Sequence, residues 1–262
     1  MTRRLIAGTG WKMNIGAAAT ARYAAEVAPV VAGFSDAIEM FVLPPFNSLA
    51  AAQRGFSSSG IGIGGQNMHW DASGAWTGEI SASMLVEAGC RYVELAHSER
   101  LEHFGETYDL ARRKVNAAVT LGLTPILCLG ETGDDKRRDI ADRIIVDQMT
   151  LALTDQLAEQ IPAIILAYEP RWAIGAAAAA SPEYAAERHR SLRNAIGDRF
   201  GSDAAARVRI IYGGSVTSSN GAALMAHDDI DGLFVGRAGW SAEGFAEIAA
   251  IVGQAAMRRK PQ

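Results

Sequence analysis

Short apolar runs alternate with longer amphipathic segments along nearly the whole chain. The short runs have the length and residue types of buried strands. We predict strands at residues 5–9, 38–43, 61–66, 92–96, 124–129, 164–169, 209–212 and 232–235. The longer segments are predicted as helices, among them residues 17–31, 106–121, 140–157, 182–196 and 242–256. The pattern therefore predicts eight strand–helix units.

Three of the predicted helices carry specific signals. Residues 139–157 contain a helical stripe of apolar positions that we expect to face inward. Its members are Ile140, Ile144, Ile145, Met149 and Leu153. Ser181 followed by Pro182 predicts an N-cap with proline at the first helical position. Ser218 and Ser219 are expected to cap the helix that precedes Leu224.

Eight units with short connections and no linker of biased composition favour a closed (β/α)8 barrel, with residues 1–262 as one domain. An open doubly wound sheet usually carries a glycine-rich turn after its first strand. The segment Gly8-Thr9-Gly10 matches that turn only weakly, because Trp11 and Lys12 follow where a later glycine is expected. In a barrel of parallel strands, the residues that follow the strands converge on one rim.

The composition excludes several classes of protein. The chain has 25 Lys and Arg against 29 Asp and Glu, a net charge of −4, which disfavours a nucleic-acid partner. Cys90 and Cys128 lie in apolar stretches, which indicates buried thiols rather than a disulfide framework. The first residues lack the apolar length of a signal peptide, and no apolar run reaches the roughly 20 residues of a membrane span. We expect a cytoplasmic protein without a membrane partner.

Three reactive side chains follow predicted strands: Lys12 after the first, His97 after the fourth and Glu169 at the end of the sixth. An ammonium, an imidazole and a carboxylate at one rim suit proton transfer next to a carbonyl. Taken alone, such a glutamate is usually a surface residue or an ion-pair partner, and a lone histidine is usually an ordinary hydrogen-bonded residue. The remaining histidines show no metal-ligand spacing, so we expect no metal and no cofactor.

Six motifs, spaced as a barrel requires, follow the order of the triosephosphate isomerase family. From Gly8 to about Ala250 the chain resembles that family, which implies a TIM barrel. The motifs are Trp11-Lys12-Met13-Asn14, Gly74-Ala75-Trp76-Thr77-Gly78-Glu79-Ile80-Ser81, His97-Ser98-Glu99-Arg100, Cys128-Leu129-Gly130-Glu131, Tyr168-Glu169-Pro170 and Tyr212-Gly213-Gly214-Ser215-Val216.

The resemblance implies the catalytic roles. Glu169 matches the general base, and His97 matches the group that polarises the substrate carbonyl. The family is itself a standard illustration of a neutral catalytic imidazole at a helix N-terminus. Lys12 matches the cation that stabilises an enediolate, and Glu99 is expected to pair with it. A Schiff-base lysine, as in barrel aldolases, is the alternative, but those enzymes usually place it on the sixth strand, which ends here in Glu169.

The resemblance also implies how phosphate is held without a basic cluster. Backbone N–H groups of Gly175, Ser215 and Gly236 match the family's phosphate-binding positions, and such donors suit a phosphate dianion. Tyr212 and Ser215 match residues that hydrogen-bond a closed lid. The tract 175–180 is glycine followed by five alanines. We interpret it as the tip of that lid, with a helix extension as the alternative.

Three positions depart from the family pattern. Gly10 stands where the family usually has Asn, Arg237 replaces the second of two glycines, and Leu101 replaces an Arg. Gly10 leaves room beside the sugar, and Arg237 adds a cation that can anchor phosphate. Together with Trp240, these walls resemble a branch of the family that isomerises L-erythrulose 1-phosphate. A genuine triosephosphate isomerase, with neutral drift at the walls, is the alternative.

Residues 66–83 match the family loop that inserts into a neighbouring subunit, so we expect a homodimer. Thr77 is then expected near the partner's Lys12 and the partner's Glu99. The other interpretations of the segment are a surface loop or a local lid. A barrel that has lost its chemistry and only binds phosphosugars is a further alternative, but a pure binder needs no poised base such as Glu169.

Overall fold

Eight parallel strands hydrogen-bond in sequence order and close into a barrel, with the last strand paired to the first. The computed structural model describes residues 3–175 and 179–259. The strands are β1 (Ile6–Gly10), β2 (Glu39–Leu43), β3 (Ile61–Gly65), β4 (Tyr92–Leu95), β5 (Thr124–Leu129), β6 (Ile165–Tyr168), β7 (Arg209–Gly213) and β8 (Gly232–Val235). The predicted (β/α)8 fold is confirmed. The domain span of 1–262 stays a prediction.

Helices surround the barrel. They are α1 (Ala17–Val31), α2 (Leu49–Phe56), α3 (Ala82–Glu87), α4 (Ser98–His103), α5 (Tyr108–Thr120), α6 (Gly133–Arg137), α7 (Ala141–Ala152), α8 (Pro182–Phe200), α9 (Ser202–Arg207), α10 (Ser218–Leu224) and α11 (Ala242–Arg259). The predicted helix 140–157 is too long, because α7 ends at Ala152 and residues 153–155 form a turn. No helix in the described part of the chain has the length and apolar character to cross a membrane.

The helix ends test the predicted caps. Ser181 is the N-cap of α8, where its Oγ accepts a hydrogen bond from the Tyr184 backbone N–H at 3.2 Å. The capping role predicted for Ser218 and Ser219 is wrong, because Ser218 is already helical. Thr217 is the N-cap of α10 instead, in an extended backbone conformation, and its backbone N–H donates to Asn220 Oδ1 at 2.9 Å.

The predicted apolar stripe on α7 faces inward only in part. Ile145 and Met149 are fully buried, and so is Leu153 just beyond the helix. Ile140 and Ile144 are half-exposed, because Ile140 is the N-cap before the helix begins and Ile144 lies beside the buried face rather than on it. The stripe is therefore narrower than the sequence suggested.

Two apolar layers hold the fold together. Inward-facing side chains of the strands fill the barrel: Ile6, Phe41, Leu43, Tyr92, Ile126, Cys128, Ile165, Ala167, Ile211 and Phe234. The alternate strand positions face outward and pack against the helices in a second, larger cluster. Because most inward positions are filled, the barrel is a packed core, and room for a ligand is left at the carboxyl ends of the strands and the loops that follow them.

The opposite end of the barrel is closed by a buried ion network. Asp231 lies just before β8 with its side chain fully buried. Its carboxylate accepts from Arg3 Nε and Arg193 Nη2, both at 2.6 Å, and from the Ile210 backbone N–H at 2.8 Å. Three charge-assisted hydrogen bonds offset the loss of hydration that burial of this carboxylate entails. This network joins β7, β8, α8 and the N-terminal segment.

Candidate active site

Lys12 follows β1 in a left-handed backbone conformation, with φ at 51°. A side chain with a Cβ rarely adopts that conformation, so neighbouring groups must hold it. Gln66 does so, because its Nε2 donates to the carbonyl oxygens of Lys12 and Leu43, both at 3.0 Å. The ammonium of Lys12 then lies 2.5 Å from Glu99 Oε1, the pairing that the sequence predicted. Although burial pushes the pKa of Glu99 upward, Lys12 and His97 bring it below its usual value.

His97 is the N-cap of the short helix α4, and it follows Ala96, whose φ is 58°. The backbone N–H of Glu99 donates to His97 Nδ1 at 3.2 Å. Because Nδ1 accepts this bond, it carries no proton, and we assign the one ring proton to Nε2. That nitrogen lies 3.5 Å from Glu169 Oε2. The imidazole therefore presents its N–H toward the same space as the carboxylate.

Glu169 lies directly after β6, with 6% of its surface exposed. Burial raises the pKa of its carboxyl, while the charges of His97 and Lys12 oppose the rise. Its position is tightly fixed, because a Cβ added at Gly213 of the next strand would stand 2.7 Å from Glu169 Oε1. A sheltered carboxylate of raised basicity suits the removal of a proton from carbon.

The candidate phosphate-binding residues surround the mouth of the same cavity, which has a volume of about 620 Å³. Gly175, Ser215, Gly236 and Arg237 all line it together with the three candidate catalytic residues. The Lys12 side chain reaches this region, since its Cε lies 4.0 Å from the position of a Cβ built on Gly236. One open space thus brings together a cation, backbone donors and a proton-transfer pair.

Residues 5–252 match the sequence model of the triosephosphate isomerase family. The chain belongs to this family. Triosephosphate isomerase of Symbiobacterium thermophilum is 43% identical over 256 residues, which cover 98% of this chain and 100% of the relative. L-erythrulose-1-phosphate isomerase of Rhizobium etli is 41% identical over 258 residues, or 97% of this chain and 95% of the relative. The corresponding enzyme of Mesorhizobium japonicum is 42% identical over 243 residues, or 92% and 94%.

Membership of the triosephosphate isomerase family makes this chain an isomerase, an intramolecular oxidoreductase. The names of the relatives do not agree on the sugar, because triose and four-carbon isomerases occur at almost equal identity. The substrate must therefore be argued from the walls of the cavity.

The segment after β6, which the sequence predicts to be a lid, is attached to the barrel at its base. Glu131 is fully buried, and its Oε1 accepts from Trp172 Nε1 at 2.7 Å and from the Tyr184 hydroxyl at 2.9 Å. Ser215 Oγ donates to the Ala173 carbonyl at 2.6 Å, so the loop after β7 contacts the segment after β6. The tip that the sequence suggested at 175–180 lies partly outside the described residues, since 176–178 are not described.

Tyr212 lies at the end of β7, with its side chain buried under the far end of the lid. Burial raises the pKa of its hydroxyl, and a contact with the Ala180 backbone lowers it in part. The Tyr212 oxygen is also 3.1 Å from the position of a Cβ built on Gly214. Among the described residues the Tyr212 hydroxyl has no hydrogen-bond partner, so the predicted bond from Tyr212 to the lid stays a prediction.

Two of the three positions that depart from the family pattern line the cavity, and the third does not. Gly10 lies at the cavity, where its carbonyl accepts from Trp240 Nε1 at 3.1 Å. A Cβ built on Gly10 would lie 3.4 Å from Phe234 Cζ, so Gly10 leaves a small recess between β1 and β8. Arg237 is exposed at the rim, whereas Leu101 packs against the apolar core and does not line this cavity.

Glu94 is a cavity residue that the sequence interpretation missed. It lies in β4, three positions before His97, with 6% of its surface exposed. Burial raises the pKa of Glu94 from its ordinary value of 4.5 to about 7; Glu169 and Glu99 add to the rise, and His97 and Lys12 oppose it. The available signal was a carboxylate inside an apolar strand, at a position that alternation directs into the barrel.

Glu94, Cys128 and Glu169 bring two carboxylate oxygens and a thiol within 4.8 Å of one another. Such groups could offer ligands to a cation, with the cysteine as thiolate. Burial, however, raises the pKa of the Cys128 thiol well above its usual range and also raises the pKa of both carboxyls. A thiol with so high a pKa keeps its proton and does not supply the thiolate that a metal ion requires. The expected absence of a metal stays a prediction.

Proposed function

We propose that this member of the triosephosphate isomerase family converts L-erythrulose 1-phosphate to D-erythrulose 4-phosphate through a cis-enediol(ate). The ketose carries its phosphate on C1, its carbonyl on C2 and a hydroxyl on C3. Moving one proton from C3 to C2 through an enediolate transfers the carbonyl to C3. Renumbering from the other end gives the 4-phosphate. The conversion is redox-neutral and needs no cofactor.

Glu169 is assigned the transfer of the proton between the two carbons. Its carboxylate removes the proton from C3, and the carboxylic acid so formed returns a proton to C2. The raised pKa of this buried group supports the role, because basicity improves proton abstraction from carbon.

His97 is assigned the transfer of the proton between the two oxygens. Its Nε2–H donates to the carbonyl oxygen as negative charge develops there, and the ring then recovers a proton from the neighbouring hydroxyl. The acceptor role of Nδ1 toward the Glu99 N–H supports this assignment, because it leaves Nε2 as the donor.

Lys12 is assigned the electrostatic role, and the mouth of the cavity binds the phosphate. The Lys12 ammonium stabilises the enediolate and attracts the dianion. Backbone N–H groups of Gly175, Ser215 and Gly236 bind the phosphate oxygens, and Arg237 at the rim adds a cation. Closure of the lid over this end excludes water and protects the enediolate from losing phosphate.

The recess at Gly10 is the structural observation that favours a four-carbon sugar as the substrate. A substrate with one more hydroxymethyl group than dihydroxyacetone phosphate needs additional room beyond the reacting carbons. Gly10 has no side chain to fill that room, and Trp240 fixes its backbone. Relatives named for the four-carbon substrate, at 41% and 42% identity, support the same assignment.

The first test compares catalytic efficiency on L-erythrulose 1-phosphate with that on dihydroxyacetone phosphate. We expect the four-carbon substrate to be preferred. A preference of tenfold or more for the triose would end the four-carbon proposal.

The second test is Glu169→Gln, which should reduce turnover of the preferred substrate by far more than tenfold. The matched control is Glu247→Gln, a change on the exposed face of α11, which should match the parent. Turnover of Glu169→Gln within tenfold of the parent would show that the base is wrongly assigned.

Interconversion of dihydroxyacetone phosphate and D-glyceraldehyde 3-phosphate is the second candidate. It is supported by the relative from Symbiobacterium thermophilum, which carries the name triosephosphate isomerase. Lys12, His97 and Glu169 would perform the same steps on the triose. The substrate comparison described above separates the two candidates.

We also propose a homodimer built through the loop at residues 66–83. The base of the loop is rigid, since His69 stacks on Trp70 and Trp76 with ring centroids 4.0 and 4.3 Å apart. Residues 72–79 at its tip are exposed, and 95% of Met13 beside the cavity is exposed too. A partner subunit bound through this loop would cover Trp76, of which 47% is exposed, and this supports the proposal. Sedimentation analysis at micromolar concentration tests this, and a monomer would contradict it.

A further inference from the structure

Glu94 has a buried carboxyl group that the reaction steps above do not use. Tyr92 and Glu94 are alternate residues of β4, and Tyr92 belongs to the inward-facing cluster of the barrel. Glu94 therefore also points into the barrel, one layer deeper than His97, and lines the same cavity as Lys12 and Glu169. Its carboxyl is thus positioned to meet whatever part of a ligand enters furthest.

The carboxyl of Glu94 is poorly satisfied by the protein. Within residues 3–175 and 179–259, its one recorded hydrogen bond comes from Cys128 Sγ, a weak donor 3.8 Å from Oε1. Its Oε2 accepts none there. A carboxyl buried in an apolar strand layer is costly unless it is hydrogen-bonded. The carboxyl of Glu94 is therefore left with hydrogen-bonding capacity for a ligand.

Glu94 Oε2 faces the recess at Gly10. A Cβ built on Gly10 would stand 3.9 Å from this oxygen and 3.4 Å from Phe234 Cζ. The Gly10 carbonyl is already engaged by Trp240 Nε1. Glu94 is therefore the hydrogen-bonding group that this recess offers, with an aromatic ring on its other side.

We infer that Glu94 is the specificity-determining residue for the four-carbon substrate, binding the hydroxyl of the hydroxymethyl group at the end remote from the phosphate. The inference rests on the function proposed above. With phosphate bound at the loops of the mouth and the reacting carbons between His97 and Glu169, the unphosphorylated end extends toward the deeper layer. A triose has no group that reaches Glu94 Oε2.

The chemistry of selection follows from this hydrogen bond. A site built to bind a substrate hydroxyl discriminates strongly against an analogue that lacks it, because the buried partner then stays unpaired. Glu94 can accept from the hydroxyl as a carboxylate or donate to it as an acid. The effect of Glu94 must therefore appear in the ratio of two substrates rather than in the rate on one.

The experiment measures kcat/KM for L-erythrulose 1-phosphate and for dihydroxyacetone phosphate in the parent and in four variants. Glu94→Leu removes the hydrogen-bonding group, and Glu94→Gln keeps part of it. Gly10→Ala fills the recess without altering the carboxyl. Tyr92→Phe is the matched control, because it changes another inward position of β4 whose hydroxyl bonds Glu39 at the far end of the barrel.

We expect Glu94→Leu to lower the four-carbon-to-triose ratio at least 30-fold, and Glu94→Gln to lower it less. Gly10→Ala should lower the ratio at least tenfold, and Tyr92→Phe should leave it at the value of the parent. Competitive inhibition by erythritol 4-phosphate relative to glycerol 3-phosphate should change in the same order, since it reports binding without chemistry. Residual triose turnover and the melting temperature verify that each variant is folded.

The failures are distinguishable. A parent that prefers the triose tenfold or more overturns the proposed function, whatever the variants do. A parent that prefers the four-carbon sugar, combined with an unchanged ratio in Glu94→Leu, overturns the role of Glu94 alone. An equal fall on both substrates also overturns it, because Glu94 would then be a positioning residue for Glu169.

Discussion

Replacement of Glu94 by glutamine should make the protein more stable at alkaline pH. Burial raises the pKa of this carboxyl to about 7 in the native state, against an ordinary value of 4.5. Below pH 4.5 both native and unfolded chains hold the proton. Between pH 4.5 and 7 the unfolded chain ionises this carboxyl while the native chain keeps it protonated, so stability falls over that interval, and the loss is complete once the native carboxyl ionises.

The size of the effect follows from the shift. One pKa unit corresponds to 1.36 kcal/mol, so the native state of the parent loses roughly 3 kcal/mol from this group between pH 4.5 and pH 8. Glu94→Gln has no such proton to lose. The difference in unfolding free energy between variant and parent should therefore rise by about 3 kcal/mol over that interval. Other titrating groups, such as His189, whose pKa burial lowers to about 4, cancel in the difference.

Equilibrium denaturation at several pH values measures this difference, with the protein concentration fixed because assembly changes apparent stability. Glu94→Leu is measured in parallel. It alters packing differently from Glu94→Gln, so its offset from the parent will differ, but its pH dependence should be the same. A difference from the parent that stays flat with pH in both variants would refute the reasoning.

Three further predictions concern other parts of the barrel. Gly213→Ala places a methyl carbon 2.7 Å from Glu169 Oε1 and should lower kcat about 100-fold with little effect on KM, measured by steady-state kinetics. Asp231→Asn breaks the buried ion network and should destabilise the fold by about 3–5 kcal/mol in chemical denaturation. Ser181→Ala removes the N-cap bond to Tyr184 and should cost about 1 kcal/mol in the same assay, whereas Ser181→Asp should restore most of it.

The sequence predicted the barrel because its apolar runs have the period and spacing of eight strand–helix units. Strands β5 and β8 were predicted at their observed bounds, and α1 as well. The errors in the prediction occur at the ends of helices and strands, where the backbone geometry decides which residue is the last one in the element. Thr217 caps α10 because its backbone is extended, and sequence alone does not distinguish it from the serines that follow.

The candidate site was likewise predicted only in part. Lys12, His97 and Glu169 were predicted because they follow strands, and parallel strands bring such residues to one rim. Glu94 was missed, since its strand was treated as an apolar run and its depth depends on the alternation of β4. The bond from Trp240 to Gly10 was not predictable either, because it joins residues 230 positions apart across the closure of the barrel.

The left-handed backbone at Ala96 should make selection for stability and selection for activity favour different residues at this position. An alanine with φ at 58° strains the chain by roughly 1 kcal/mol, and glycine would relieve that strain. A library screened for heat resistance should therefore enrich glycine at position 96. Glycine would also make the backbone before His97 more flexible and its imidazole less firmly positioned. The same library screened for turnover should therefore retain alanine.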